Sequence, residues 1–128
     1  MLKDSRVAAI LPAEDLERAK AFYREKLGLP APDLVAPRTV AFECGSGTTL
    51  IVYEREGGTK ADHTVAGFLA DDVKETVEEL REKGVVFEQY DQPGLKTDEH
   101  GIATLGDAQA AWFKDTEGNI LSITEAEY

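Results

Sequence analysis

Few residues in this chain have side chains suited to catalysis or metal binding. Its 128 residues include two histidines, His63 and His100, and a single cysteine, Cys44. One cysteine cannot build a thiolate metal site, and no histidine lies near Cys44 in sequence, so we expect an ordinary small thiol rather than a nucleophile. His100 lies in a polar segment, where a solvated loop side chain is the simplest interpretation.

Glu43 and His63 are the two candidates for acid–base chemistry. Glu43 interrupts an apolar strand pattern. It is a general base if it faces inward, because burial raises the pKa of an unpaired carboxylate, whereas a strand with one solvated face explains it equally simply. His63 precedes an apolar run, either as a catalytic, ligand-binding or metal-ligating group or as a polar residue where a strand begins. The Gly45-Ser46-Gly47 segment lacks the lysine and helix of a phosphate-binding loop.

Charge and composition exclude several classes of partner. Asp and Glu number 25 against 14 Lys and Arg, which gives a net charge of −11. That field repels phosphate backbones and anionic membrane surfaces, so we expect neither nucleic acid nor membrane as a partner. No apolar run reaches the roughly 18 residues of a membrane span, and the first residues lack a secretory signal. We therefore expect a cytoplasmic protein.

Hydrophobic periodicity predicts the same series of elements twice. Asp15 and Asp71-Asp72 are candidate N-caps, and Gly28 and Gly84 are placed to end the two helices. The first series is a strand at Val7–Leu11, a helix, a loop or poorly formed edge strand at Pro30–Pro37, and strands at Thr39–Cys44 and Thr48–Glu54. The second series begins with a strand at Thr64–Ala70, a helix with the apolar face Val73, Val77 and Leu80, and a strand at Val85–Tyr90. A polar loop at Gln92–Gly101 follows. The series ends with strands at Ile102–Leu105 and Ala110–Lys114, a tight turn at Asp115–Asn119, and a strand at Ile120–Glu125.

The two series also match in sequence, at an offset of about 57 residues. Asp15-Leu16 aligns with Asp72-Val73, and Tyr23-Arg24-Glu25-Lys26 aligns with Leu80-Arg81-Glu82-Lys83. We therefore predict an α+β fold built from two tandem β-α-β-β-β modules. They span about residues 5–56 and 62–126 of one domain that covers residues 1–128.

Five segments together resemble the vicinal-oxygen-chelate superfamily, which contains glyoxalases, bleomycin-resistance proteins and extradiol dioxygenases. They are Leu11–Ala19, Phe22-Tyr23, Leu27-Gly28-Leu29, Asp71-Asp72-Val73 and Trp112–Leu121. The last is similar to the family's aromatic–basic–Asp-Pro-x-Gly-Asn turn, with Thr116 in place of the usual proline. The resemblance covers nearly the whole chain and is more specific for fold than for function.

The resemblance implies mixed sheets that curl around a cavity, with helices on the outer faces, and it implies a homodimer. Strand alternation then assigns the two sides of each sheet. Leu50, Val52, Leu121 and Ile123 are expected to face the helices. Ile51, Tyr53, Ser122 and Thr124 are expected to face the cavity.

Metal-dependent members of the superfamily place one ligand on each of four strands. Carried over one at a time, those positions fall on Ala8, Ile51, Val65 and Ser122. Three of them have no donor atom, and a neutral serine hydroxyl is a poor ligand on its own. Shifting a position by one residue brings in no better ligand, so the resemblance implies no metal and no cofactor.

Three functions remain open. The first is a metal-independent protein that binds or sequesters a hydrophobic or aromatic small molecule, as the bleomycin-resistance branch does. The second is a lyase, isomerase or dioxygenase with a displaced metal site or metal-free acid–base chemistry, and the third is an interaction module whose side chains fill the cavity. For the first, the expected ligand-binding residues are Phe42, Ile51, Tyr53, His63, Val65, Trp112 and Ser122.

Overall fold

The computed structural model describes residues 1–125. The chain divides into two compact units, Met1–Lys60 and Ala61–Tyr128. Ala126, the expected end of the second module, lies outside the described residues. No helix within residues 1–125 is long and apolar enough to cross a membrane.

The first unit is a four-stranded sheet with one helical segment, and its strand order is β1-β4-β3-β2. β1 pairs with β4 in parallel, and the other neighbours are antiparallel. Every residue of β2 is exposed, as its proline-rich surroundings predict for an edge strand. The elements are β1 (Ala9–Ala13), α1 (Leu16–Ala21) with a π-helical continuation (Phe22–Lys26), β2 (Asp33–Ala36), β3 (Thr39–Glu43) and β4 (Thr49–Glu54).

The second unit repeats this topology. Its strand order is β5-β10-β9-β8, with the first and last strands again paired in parallel, so the α+β class and the tandem modules are confirmed. A two-stranded hairpin is inserted after the helix. The elements are β5 (Thr64–Leu69), α2 (Val73–Glu82), β6 (Asp91–Gln92), β7 (Leu95–Lys96), β8 (Ile102–Leu105), β9 (Ala108–Lys114) and β10 (Ile120–Thr124).

Two predicted elements of the second unit are wrong. The segment 85–90 is not a strand, since only Phe87 forms a bridge, to Phe113. The reason is competition for one edge: β8 pairs with β9 from Ala108 to Ala111, which leaves only the end of β9 free. The predicted loop Gln92–Gly101 contains most of the small β6–β7 hairpin, because Gly94 adopts the positive φ that a tight turn needs.

Both predicted N-caps are confirmed. The carboxylate of Asp15 accepts a hydrogen bond from the Arg18 backbone N–H at 3.0 Å, and that of Asp72 accepts one from Glu75 at 3.1 Å. In the first helix the last turn widens, and the Leu27 N–H donates to the Phe22 carbonyl at 3.3 Å. The predicted helix up to Leu27 is therefore α-helical only as far as Ala21.

One contact in each unit identifies the face of the sheet that carries the helix. In the first, the rings of Tyr23 and Phe42 lie 5.6 Å apart. In the second, the Glu125 carboxylate accepts a hydrogen bond from the Val73 N–H at the start of α2, at 3.0 Å. Side chains alternate along a strand, so Leu121 and Ile123 share the side of Glu125, as predicted. We call this side the helix-facing face and the opposite side the helix-free face.

The predicted tight turn between β9 and β10 is held by two buried side chains, Asp115 and Asn119. One Asp115 oxygen accepts hydrogen bonds from the backbone N–H groups of Glu117 and Asn119, at 2.8 and 2.9 Å. The other accepts from the Asn119 side-chain amide at 2.8 Å. A single carboxylate therefore fixes the register of the hairpin that contains Trp112 and Ser122.

We predict that Asp115→Ala lowers the free energy of unfolding by about 2–3 kcal/mol, because it leaves buried donors without a charged acceptor. The measurement is urea denaturation. Asp107→Ala is the matched control, since Asp107 is an exposed aspartate in the turn between β8 and β9. Equal small losses in both variants would show that the Asp115 network does not stabilise the hairpin.

Candidate functional site

Three residues form a row across the helix-free face of the second sheet. Ser122, in the central strand β10, pairs with Gly67 of β5 on one side and with Trp112 of β9 on the other. Paired residues share a face, so the Ser122 hydroxyl lies between a bare backbone and an indole ring. Ser122 is buried, Trp112 is half-buried and Gly67 is exposed.

The absence of a side chain at position 67 leaves room for this hydroxyl. A Cβ added to Gly67 would lie 2.6 Å from the Ser122 Oγ, whereas the Ser122 Cβ would be 4.0 Å away. The hydroxyl therefore occupies the space beside strand β5 that any other residue would fill. A glycine inside a strand often marks such a close approach.

Trp112 is fixed in place by a second aromatic ring. The rings of Tyr90 and Trp112 lie 5.6 Å apart in an edge-to-face arrangement. Tyr90 is itself held by Thr97, whose hydroxyl accepts from the Tyr90 N–H at 2.8 Å and whose N–H donates to the Tyr90 carbonyl at 2.9 Å. The hairpin β6–β7 is thereby closed at its base, and it presents Tyr90 to the helix-free face.

Tyr90 also lines a shallow hollow of about 310 Å³. Burial, and secondarily the nearby Glu88 carboxylate, raise the pKa of the Tyr90 hydroxyl above its ordinary value. The other lining residues are polar: Gln89, Asp91, Lys96, Thr97, Asp98 and Glu99.

The loop beside this hollow is ordered by Asp98. Its Oδ1 accepts hydrogen bonds from the backbone N–H groups of His100, at 2.8 Å, and Ile102, at 3.0 Å. These bonds, above all the one from Ile102, lower the pKa of the Asp98 carboxyl. The His100 ring accepts a hydrogen bond from the Arg81 guanidinium at 2.7 Å, so its Nδ1 is already engaged at the surface.

The helix-free face of the first sheet is more apolar. Ile51, in the central strand β4, pairs with Ile10 of β1 and with Ala41 of β3. Tyr53 lies one pleat further along β4 on the same face, and it is half-buried. Ile10 and Gly67 each lie five residues before the N-cap aspartate of the next helix, so the two rows occupy equivalent places in the repeat.

The structure changes the expected orientation of one proposed ligand-binding residue. Phe42 pairs with Leu50 rather than with Ile51, and its side chain is 0% exposed against Tyr23. It therefore lies on the helix-facing face and not on the side of Ile51. The expectation for Phe42 was wrong because a strand's alternation does not reveal its register against its neighbour.

The other expected site residues separate by unit. Ile51 and Tyr53 share the helix-free face of the first sheet, whereas Ser122 and Trp112 share that of the second. Val65 lies at the β-bulge that shifts the pairing of β5 with β10 and is half-buried. His63 lies just before β5 and is exposed, with Nδ1 donating to the Thr64 carbonyl at 3.1 Å.

The two remaining reactive side chains lie near the same turn. Glu43 ends β3 and is exposed. Cys44 follows it, and burial raises the pKa of its thiol, which keeps the sulfur protonated and poorly nucleophilic. The thiol lies 3.8 Å from the Phe42 carbonyl oxygen. These surroundings favour the ordinary thiol over a nucleophile.

The net charge is divided unevenly. The first unit holds nine Lys or Arg and nine Asp or Glu, whereas the second holds five and sixteen. The whole net charge of −11 therefore resides in the second unit, together with the Gly67–Ser122–Trp112 row. This electrostatic field favours neutral or cationic ligands over anions there.

The arrangement of elements matches a known family. Residues 6–123 match the model of the Glyoxalase/Bleomycin resistance protein/Dioxygenase superfamily. The chain belongs to this superfamily. No curated protein matches the chain.

Solved structures share the fold of this superfamily member at low sequence identity. Lactoylglutathione lyase from Agrobacterium tumefaciens is 24% identical, with a TM-score of 0.66 over 95% of this chain and 94% of that one. The oxidase ChaP-H2 is 22% identical, with a TM-score of 0.69 over 98% and 96% of the two chains. A glyoxalase/bleomycin resistance protein from Catenulispora acidiphila is 20% identical, with a TM-score of 0.64 over 95% and 98%.

The residues at the positions that the resemblance assigns to a metal do not fit a divalent cation. Ala8, Ile51 and Val65 have no ligand atom, and Ser122 offers one neutral hydroxyl beside an indole ring. Within residues 1–125, no three His, Cys, Asp or Glu side chains are grouped closely enough to hold a metal ion. A hard cation needs several oxygen or nitrogen donors, which these positions do not supply.

Two residues, one in the row and one beside it, were not identified from the sequence. Gly67 carried a usable signal, because an isolated glycine inside a strand pattern indicates a bulge or a close approach. Tyr90 carried none, since it contacts Trp112 through a hairpin whose packing has no local signature.

We predict that Asp98 makes stability depend on pH in the acid range. Its folded pKa is lowered, so its contribution is complete above the ordinary aspartate pKa of about 3.9 and is lost as the pH falls towards the folded value. Asp98→Asn keeps an oxygen acceptor without the charge. The variant should show a smaller fall in melting temperature between about pH 5 and pH 2.5, and parallel profiles for variant and parent would contradict the prediction.

Proposed function

We propose that this protein binds flat hydrophobic or aromatic small molecules on the helix-free face of each sheet, without a metal ion. The observation that carries the proposal is the Gly67–Ser122–Trp112 row, where an accessible indole ring adjoins a hydroxyl and a bare backbone. Small-molecule sites typically combine apolar and aromatic walls with a few polar groups that orient the ligand.

Preorganisation of the aromatic rings supports this proposal. Tyr90 holds Trp112 edge-to-face, and Thr97 holds Tyr90 by hydrogen bonds through both its hydroxyl and its backbone. A ligand that stacks on Trp112 therefore need not order the ring first, which reduces the entropic cost of binding.

The residues at the superfamily's metal positions support metal independence. A bound ion would need donors where the chain has Ala8, Ile51 and Val65. The acidic second unit further favours a neutral or cationic ligand, as a drug-sequestering protein of this superfamily would need for a basic drug.

The direct test is titration with N-phenyl-1-naphthylamine, an uncharged aromatic probe whose emission rises in apolar surroundings. Trp112 is the only tryptophan of the chain, so energy transfer from it to the probe reports binding close to the row. We expect saturable binding with transfer from Trp112. Emission that rises without saturating would contradict a defined site.

We predict that Trp112→Ala weakens binding of this probe roughly tenfold, because a large aromatic contact is lost. Trp112→Phe, the matched control, should retain most of the affinity. The probe's own emission serves as the measurement, and circular dichroism verifies folding. If Trp112→Ala binds as tightly as the parent, the row is not the binding surface.

Tyr53→Ala tests the helix-free face of the first sheet in the same assay, with Tyr53→Phe as its control. We expect weaker binding in the alanine variant, because Tyr53 supplies the aromatic surface of that face. If Trp112→Ala weakens binding of the probe and Tyr53→Ala does not, binding is confined to the second unit.

Removal of metal ions is predicted to leave binding unchanged. Protein dialysed against a chelator should bind the probe with the affinity of untreated protein, and elemental analysis of untreated protein should find less than about a tenth of an equivalent of divalent metal. Near-stoichiometric metal would overturn metal independence and favour an enzyme, with His63 the first residue to replace.

A further inference from the structure

We propose that the Ser122 hydroxyl recognises a neutral oxygen of the aromatic ligand, a phenolic hydroxyl or a carbonyl, and that Gly67 determines this specificity by keeping the hydroxyl accessible. The inference rests on the proposed function and adds to it the chemical class of the ligand. It concerns the second unit only.

The Ser122 hydroxyl has unused hydrogen-bonding capacity within the described residues. The residue is 8% exposed, and within residues 1–125 its hydroxyl forms no hydrogen bond. The Ser122 Oγ is not among the fully buried side-chain polar atoms of these residues, so it keeps some exposure and a ligand oxygen can bond to it. A serine hydroxyl both donates and accepts, which suits a carbonyl as well as a phenol.

The Ser122 hydroxyl is directed towards Gly67. The Oγ atom lies 2.6 Å from where a Cβ of Gly67 would be, so the hydroxyl is aimed along the row towards position 67. The backbone there is exposed, and a ligand can approach it closely. No side chain at position 67 shields the hydroxyl from this approach.

The spacing between Ser122 and Trp112 suits one planar ligand. Ser122 and Trp112 are paired neighbours on adjacent strands, which lie about 4.8 Å apart. A planar ring resting on the indole therefore carries its substituent oxygen over the neighbouring strand. Trp112 would contact the ring and Ser122 would bond to the oxygen, so a single flat molecule can interact with both side chains.

Gly67 is the specificity-determining residue in this arrangement. An alanine there would meet the hydroxyl at 2.6 Å and force it to rotate away, while the next atoms of Ser122 are 3.9 and 4.0 Å distant and need not move. The serine hydroxyl turns about a single torsion, so the displacement is possible without unfolding. Gly67→Ala should therefore mimic the loss of the hydroxyl itself.

The experiment measures displacement of N-phenyl-1-naphthylamine by 2-naphthol and by naphthalene, which differ only in one hydroxyl. We expect the parent protein to bind 2-naphthol about three- to tenfold more tightly than naphthalene, the range of one neutral hydrogen bond. Ser122→Ala should abolish the preference, because it removes the hydroxyl that distinguishes the two compounds.

Gly67→Ala should abolish the same preference, and the double variant Gly67→Ala/Ser122→Ala should lose nothing further, because both changes remove one interaction. Gly45→Ala is the matched control, since a Cβ there meets no atom within 4 Å. It should bind both compounds as the parent does. Melting temperatures establish that each variant is folded.

The outcomes separate this inference from the proposed function. If the parent protein does not prefer 2-naphthol to naphthalene, or if Ser122→Ala keeps that preference, the proposed role of Ser122 is wrong. The proposal that the protein binds aromatic molecules is unaffected by either result. If neither compound displaces the probe, or Trp112→Ala binds both as the parent does, the proposed function fails and the inference fails with it. Ser122→Ala is decisive even if Gly67→Ala does not fold.

Discussion

The two-residue period of a β-strand is the constraint on which this molecule depends. Each sheet must bury one face under its helix, and every residue committed to that face places its neighbours on the other. The burial of Leu121 and Ile123 thus determines that Ser122 points away from α2. The candidate site follows directly from the way each unit forms its core, because no separate element is needed to present it.

The two units of the duplicated fold carry different side chains on their helix-free faces. Equivalent rows on the two sheets read Ile10–Ile51–Ala41 and Gly67–Ser122–Trp112. The topology of the two units is the same, so the difference between the rows lies in their side chains and not in their backbone. The row of the first unit is aliphatic, and that of the second combines an aromatic ring, a hydroxyl and open backbone. A fold that repeats can vary one copy while the other keeps its packing.

Local chemistry was readable from the sequence, and long-range pairing was not. The N-caps Asp15 and Asp72 and the Asp115 turn were predictable because their partners lie within four residues. The side of each central strand was predictable from alternation. Phe42 was misassigned because its face depends on which residue of β4 it meets, and the strand at 85–90 failed because β8 occupies the edge it would need.

The uneven charge has a kinetic consequence. A field centred on the second unit accelerates the encounter of cations with that unit and slows that of anions, and it decays over a Debye length of about 8 Å at physiological salt. Association rates of charged ligands should therefore change with ionic strength, whereas those of neutral aromatics should not. The acidic residues of the second unit would bias which charged ligands arrive, before any contact with Trp112 or Ser122 selects among them.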